Sequence, residues 1–214
     1  MRLLHADSAD PKTNAAFEES LYRAPGEPTE AVLLFYRNAP SVHCGRNQFP
    51  AAECAVSWCA RQGIPVLKRC TGGGTVFHDL GNLNYAFVLP RRLYDPARVI
   101  GLAKEALLRI GVPDVTMCPR FSLWHGGDKI GGSAFALAGQ RALLHGCIPF
   151  GTDLETLTRA LTPEAAPPED KVALRSVPSP VANVAPLMPN APEAEEAMAR
   201  FADALAAIAR DALP

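Results

Sequence analysis

Lys68-Arg69-Cys70-Thr71-Gly72-Gly73-Gly74-Thr75-Val76-Phe77-His78-Asp79-Leu80-Gly81-Asn82-Leu83-Asn84-Tyr85-Ala86-Phe87-Val88-Leu89 is the densest chemical stretch of this 214-residue chain, and its architecture is read outward from there. Three consecutive glycines remove Cβ atoms where a backbone can approach a ligand, and they give access to positive φ, so their N–H groups can converge on an anion. Arg69 and His78 set polar heads on either side of that loop. A bare Gly-Gly-Gly is also a common flexible turn, but here both flanks are specified. Thr75 to His78 and Leu83 to Leu89 are rich in strand formers, and with Asp79-Leu80-Gly81-Asn82 between them they read as a hairpin whose turn holds His78 and Asp79. The glycine motif is therefore expected on sheet scaffold.

Downstream, Asp95 as N-cap, Pro96 behind it, apolar Val99, Ile100, Ala103, Leu107 and Ile110, and Gly111 past the end describe a bounded helix. Phe121 to Trp124, a turn at His125-Gly126-Gly127-Asp128, and Lys129 to Phe135 read as a second hairpin with Lys129 opening its second strand. Ala142 to Phe150 reads as a further strand, and Asp153 caps a short helix through Leu161. Upstream, Asn14 to Arg23 has Ala15, Phe17, Leu21 and Tyr22 at helical spacing, and Ala31 to Tyr36 is a continuous apolar run suited to a buried strand. Ala51 to Gln62 reads as an amphipathic helix with Cys54 and Cys59 on its packed face. The eight prolines between Pro163 and Pro192 mark an irregular, surface-running segment, and Glu193 to Leu213 is a regular amphipathic helix. Strands arrive as hairpins with helices between them, not as βαβ units, so the expected fold is α+β with a mixed, largely antiparallel sheet flanked by helices.

Bulk properties narrow the function classes. At 48% hydrophobic and 20% charged residues the chain can bury one sizeable core. Lys+Arg number 21 against 22 Asp+Glu, with no basic run, which removes the electrostatic footprint of a nucleic-acid binder. The six cysteines form no Cys-x-x-Cys pair and the five histidines no ligand spacing, so no metal site is expected and the thiols read as reduced. The N-terminus lacks a signal-peptide core and no apolar run reaches about 18 residues, so a cytoplasmic protein with no membrane partner is expected.

The string from Lys68 to Asn84, together with Asp128-Lys129-Ile130-Gly131-Gly132-Ser133-Ala134, Leu144-His145-Gly146 and Thr152-Asp153-Leu154, resembles the signatures of the lipoate-protein ligase A family in the biotin/lipoate protein ligase superfamily. The resemblance runs from about Tyr36 to the C-terminus. It implies a single catalytic domain over residues 1–214, without the C-terminal accessory domain that many relatives carry. It also implies attachment of lipoate, or a related medium-chain acyl group, to a lysine of a lipoyl-domain protein through an acyl-adenylate. The substrates would be ATP and lipoate, with Mg²⁺ carried on the phosphates. Acceptors would be a 2-oxoacid dehydrogenase E2 subunit, a glycine cleavage H protein or a similar domain, with a separate accessory subunit as a further partner. Serine at 122 stands where relatives usually have aspartate, and Gly131 where serine or alanine is more usual.

Activating a carboxylic acid with ATP brings two anions together, and one ammonium between them neutralises the charge that builds during attack. A strand-edge lysine is ordinarily a solvated charge. Lys129 precedes Ile130-Gly131-Gly132, where small residues leave room for a ligand, and by resemblance it is the acyl-adenylate lysine. The resemblance assigns Arg69, Gly72, Gly73, Gly74, Thr75, Val76, Phe77, His78, Lys129, Ser133 and Ala134 to ATP and lipoyl-adenylate binding, and Arg46 to the acyl pocket. His78 has two readings: a hydrogen bond within the pocket, with Asp79 holding the turn, or direct ligand contact. An octanoyl-carrier-protein-dependent octanoyltransferase working through a cysteine thioester is the alternative chemistry, with Cys118, eleven residues before Lys129, as its nucleophile. A non-catalytic acyl-binding relative is the third.

Overall fold

The computed structural model describes residues 1–26, 28–166 and 174–213. Seven strands form the main sheet: β1 (Arg2–His5), β2 (Val32–Tyr36), β6 (Asn82–Pro90), β7 (Val115–Met117), β8 (Leu123–His125), β9 (Asp128–Ala138) and β10 (Arg141–Pro149). Their order is β1-β2-β6-β10-β9-β8-β7, and every pairing is antiparallel except β1 with β2. A second sheet joins β3 (Ser41–Cys44), β4 (Val66–Lys68) and β5 (Val76–His78), with β3 central, parallel to β4 and antiparallel to β5. The expected mixed, largely antiparallel α+β fold is present, and the hairpin linking β8 to β9 is where the sequence places it.

β6 and β10 sit at the centre of the main sheet and are covered on both faces, which is why they read as near-continuous apolar runs. Successive side chains alternate faces. Tyr85, Phe87 and Leu89 of β6 and Ala142, Leu144 and Ile148 of β10 enter the larger core with α3 (Pro96–Arg109) and α5 (Ala194–Ala212). Ala86 and Val88 of β6 and Leu143 of β10 face the opposite side, where Tyr22 of α1 (Pro11–Arg23) covers them. α3 has the predicted cap, the Asp95 carboxylate accepting from Arg98 N–H, and Gly111 follows its end at φ +94°. Among the described residues no helix is long and apolar enough to cross a membrane.

Three readings are corrected. The stretch 75–78 does not pair with 83–89: β5 hydrogen-bonds to β3 in the small sheet and β6 to β2 and β10 in the large one. Asp79 redirects the chain between them, its carboxylate accepting from Gly81 N at 2.9 Å and from Asp153 N at 2.8 Å. The helix expected over 51–62 is a single 3-10 turn at Pro50–Ala52 followed by α2 (Val56–Arg61), although Cys54 and Cys59 are fully buried as expected. α1 begins three residues earlier than its apolar spacing implies because the Asp10 carboxylate caps it, and its buried face is Asn14, Glu18 and Tyr22, with Phe17 exposed. Residues 167–173 of the proline-rich segment lie outside the described residues.

Candidate functional site

The face of the main sheet that meets α1 is apolar for half its length and then turns polar. Register explains how. Tyr36 pairs with Asn84, Asn84 with Cys147, and Cys147 with Gly132, so four strands present one row on that face. The neighbouring row is Leu34, Ala86, His145 and Ala134. Beyond Leu34 and Ala86 these rows floor a cavity of about 290 Å³ that lies between the main sheet and the glycine loop.

The loop is held from below by Arg69. Its guanidinium donates to Gly72 O (2.8 Å), Gly74 O (2.6 Å), His43 O (2.6 Å) and Thr71 Oγ1 (3.0 Å), so the cation sits in the cavity wall as the pin that shapes the loop. Gly73 takes φ +87°, a conformation that only glycine adopts without strain. Its carbonyl presses on Gly45, where a Cβ would fall far inside van der Waals contact. From outside, Ser176 clamps the loop: its hydroxyl oxygen accepts from Thr75 N at 2.8 Å and from Gln48 Nε2 at 3.0 Å. Ser176 N donates in turn to the buried Glu53 carboxylate at 2.9 Å, and Gln48 Oε1 accepts from Thr75 Oγ1 and Gly45 N. The segment from Leu174 to Val177 thus lines the cavity, tied to the motif through Ser176.

The floor carries a buried carboxylate. Glu18 accepts from Tyr36 Oη and pairs with His145 Nδ1, both at 2.9 Å, and His145 Nε2 lies 3.0 Å from Thr71 Oγ1. Burial raises the Glu18 carboxyl, but His145 and the hydrogen bonds from His145 and Tyr36 outweigh it and hold the group below the usual carboxylate range. One chain of contacts therefore runs from α1 through β10 to the loop. Next to it His43 and His78 pack ring on ring at 4.4 Å. Burial pulls His43 down to about 4 and His78 well below its ordinary value, with Arg69 acting in the same direction, so both rings are neutral near pH 7.

Lys129 reaches into the cavity from the start of β9. Its backbone is fixed on both sides, N–H to Pro180 O at 2.8 Å and O from Ala182 N at 3.2 Å. Its Nζ would lie 3.6 Å from a Cβ on Gly132, and Cys147 Sγ 3.7 Å from the same point, so glycine at 132 leaves space that the ammonium borders. Among the described residues no carboxylate pairs with that ammonium. Gly131 faces the opposite way, where a Cβ would meet Ile148 Cδ1 at 2.7 Å and Leu123 Cβ at 3.3 Å, so a larger residue there would displace the end of the Ile148 side chain.

Of the residues singled out in the sequence, Arg69, Gly73, Gly74, Thr75, Val76, His78, Lys129, Ser133 and Ala134 line the cavity. Gly72 is outside the lining, and Phe77 points into the small-sheet core with Val42 and Ile64. Arg46 is exposed and outside the cavity lining; the arm that carries it contributes Asn38 and His43 to the lining, and its buried Gln48 braces the loop. Cys118 is also outside the lining, whereas Cys147 is in it. Burial works against ionisation of the Cys118 thiol, but hydrogen bonds from the Ser122 and Arg120 backbone outweigh it and hold its pKa below the usual value. Burial pushes the Cys147 thiol up. Glu18, Tyr36, Asn38, His43 and Ser176 were not anticipated. The signal for Glu18 was Asn14, Glu18 and Tyr22 at intervals of four, which places two polar residues on the face of the one that packs. Among the described residues no three His, Cys, Asp or Glu side chains converge as a metal cluster.

The family described as the lipoyl protein ligase A/B catalytic domain matches residues 10–206. Among solved structures, a Thermoplasma acidophilum protein with bound lipoic acid is 26% identical, with a TM-score of 0.78 over 98% of this chain and 84% of that one. A bi-partite lipoate protein ligase from Thermoplasma acidophilum, studied with its E2 lipoyl domain, is also 26% identical, with a TM-score of 0.78 over 98% and 82%. A lipoate-protein ligase A bound with ATP is 26% identical, with a TM-score of 0.75 over 98% and 84%.

Proposed function

Because this chain belongs to the lipoyl protein ligase A/B catalytic-domain family, we propose that it activates lipoate with ATP and transfers the lipoyl group to a lysine of a lipoyl-domain protein. A lipoate carboxylate oxygen attacks the α-phosphorus of ATP, forming the acyl–phosphate bond and releasing pyrophosphate. The acceptor's neutral lysine amine then attacks the acyl carbonyl, forms the amide, loses a proton and releases AMP. The observation that carries the reading is the ammonium of Lys129, which has no carboxylate partner among the described residues and borders the open space above Gly132 in the same cavity as the glycine loop. In that position it would neutralise the charge shared by carboxylate and α-phosphate during the first step. Arg69 acts through the loop that it pins, and its charge keeps the wall positive behind the phosphates.

ATP and lipoate come to this chain from similar proteins that hold them, and a lipoyl-domain acceptor from the Thermoplasma ligase studied with its E2 domain. Mg²⁺ accompanying the nucleotide would supply further charge neutralisation, held by phosphate oxygens and water. The octanoyltransferase alternative needs a reactive thiol at the acyl carbon; Cys118 lies outside the cavity lining, and burial works against ionisation of the Cys147 thiol that lies within it, which together favour the adenylate route. Lipoate-dependent pyrophosphate release from ATP tests the proposal. Release is expected with lipoate, with the accessory chain of a bi-partite ligase added as a second arm. Acyl transfer from octanoyl-carrier protein alone, with no pyrophosphate in either arm, would replace this reading with the thioester one.

A further inference from the structure

Arg69 pins the glycine loop, and Arg69 is itself held by a chain of hydrogen bonds that begins on α1. The Glu18 carboxyl lies below the usual carboxylate range, so near neutral pH both its oxygens only accept. Tyr36 Oη–H donates to Oε2 and His145 Nδ1–H to Oε1, each at 2.9 Å. At the loop end a guanidinium only donates, so Arg69 Nε–H gives its proton to Thr71 Oγ1 at 3.0 Å. Thr71 Oγ1 has one other partner among the described residues, His145 Nε2 at 3.0 Å. The hydroxyl proton therefore goes to the lone pair of that nitrogen. Every bond runs one way, from the Arg69 cation through Thr71 and His145 to the Glu18 anion, an order in which each bond polarises the next. Thr71 is fully buried and outside the cavity lining, so its hydroxyl does not meet a ligand. Its backbone is anchored separately, Thr71 O accepting from Arg46 N at 2.8 Å. With Nε tied to Thr71, the other two guanidinium nitrogens face His43 O, Gly72 O and Gly74 O.

We propose that Glu18, His145 and Thr71 are positioning residues for nucleotide binding, which orient the Arg69 guanidinium and, through it, the shape of the glycine loop. The nucleotide half of this rests on the function proposed above. Removing the Thr71 hydroxyl leaves a buried cationic N–H without its acceptor, a larger loss than that of a neutral hydrogen bond. The guanidinium then turns to find another partner, and the two glycine carbonyls that it holds move with it. Glu18 acts one step further back, by fixing the edge of the His145 ring that faces Thr71.

Two readouts test this. Thr71→Val keeps the shape and the backbone anchor but removes the hydroxyl; in lipoate-dependent pyrophosphate release it is expected to raise KM for ATP about tenfold with kcat little changed, and Thr71→Ser to restore KM. The second readout needs no activity: the Arg69 Nε–H resonance in a ¹H–¹⁵N spectrum, assigned with Arg69→Lys. It is expected to move in Thr71→Val and also in Glu18→Gln, although Glu18 does not touch Arg69. Glu18 also acts on the guanidinium through space, so the double variant decides. That direct field survives Thr71→Val, whereas the relayed part does not, and the displacement caused by Glu18→Gln is expected to be much smaller in the Thr71→Val background. An unchanged KM for ATP in Thr71→Val, no recovery in Thr71→Ser, or equal displacements in both backgrounds overturns the proposal. If the wild type releases no pyrophosphate, the nucleotide half falls with the proposed function, while the resonance still decides whether the chain positions Arg69. If Glu18→Gln does not fold, the two Thr71 variants decide through KM.

Discussion

Replacing Lys129 by alanine is expected to stop acyl-adenylate formation while leaving the fold intact. The side chain is only partly buried, lies over Gly132, and has no carboxylate partner among the described residues, so its loss orphans no protein charge. What is removed is a cation facing two anionic reactants. At about 4 Å and an effective dielectric near 20, one ammonium–oxyanion pair is worth about 4 kcal/mol. The part that grows only at the transition state is about 3 kcal/mol, or a hundredfold or more in rate. Arginine should not restore the rate, because a planar guanidinium is broader than an ammonium and the space beside Gly132 is shared with Cys147. The assay is single-turnover pyrophosphate release with lipoate and ATP. Lys68→Ala, on an exposed strand position, and Lys104→Ala, on α3, serve as controls that should stay near wild type. Near-wild-type release from Lys129→Ala would remove this lysine from the mechanism.

Glu18→Gln breaks a buried carboxylate–histidine contact and is expected to cost about 3 kcal/mol at neutral pH, read by chemical denaturation. The folded-state pKa of Glu18 is depressed, so its contribution is present above the unfolded value near 4.3 and is lost as pH falls through the folded value; the variant should therefore show a flatter acid limb, and an unchanged limb would refute the assignment. Gly45→Ala drives a Cβ into Gly73 O, and should cost about 2 kcal/mol, a Tm lower by about 6 °C, together with weaker ATP binding because the loop must move. Cys118→Ser is expected to leave ATP- and lipoate-dependent transfer unchanged; abolished transfer with octanoyl-carrier protein as the only working donor would make the thioester reading correct.

The elements legible in the sequence were those with local punctuation. α3 carries Asp95, Pro96 and Gly111 at its ends, and the β8–β9 hairpin has His125-Gly126-Gly127-Asp128 between strand formers, so neither needs a distant partner to be seen. The misread hairpin fails for the opposite reason. Nothing local distinguishes a turn at 79–82 from a crossing between sheets, because the decision is made by β3, more than thirty residues upstream, and by the Asp153 N–H that holds Asp79. In the site, the glycine loop and Lys129 are contiguous motifs and were visible. Glu18, Tyr36 and Ser176 were not, since they meet only when α1, β2 and the segment after residue 173 close around the cavity. Arg69 was read as a phosphate ligand from its place before the glycines. Four protein oxygens around its guanidinium give it a structural task that sequence order does not reveal.

The central claim is that this cavity joins lipoate to a protein lysine at the expense of ATP. The most direct test incubates the purified chain with lipoate, ATP, Mg²⁺ and an apo lipoyl domain, with and without an accessory ligase chain, and weighs the domain by mass spectrometry. The account predicts a domain heavier by one lipoyl group, strictly dependent on ATP and absent when the domain's acceptor lysine is replaced by arginine. An unmodified domain in both arms, or one modified equally well without ATP, would contradict it.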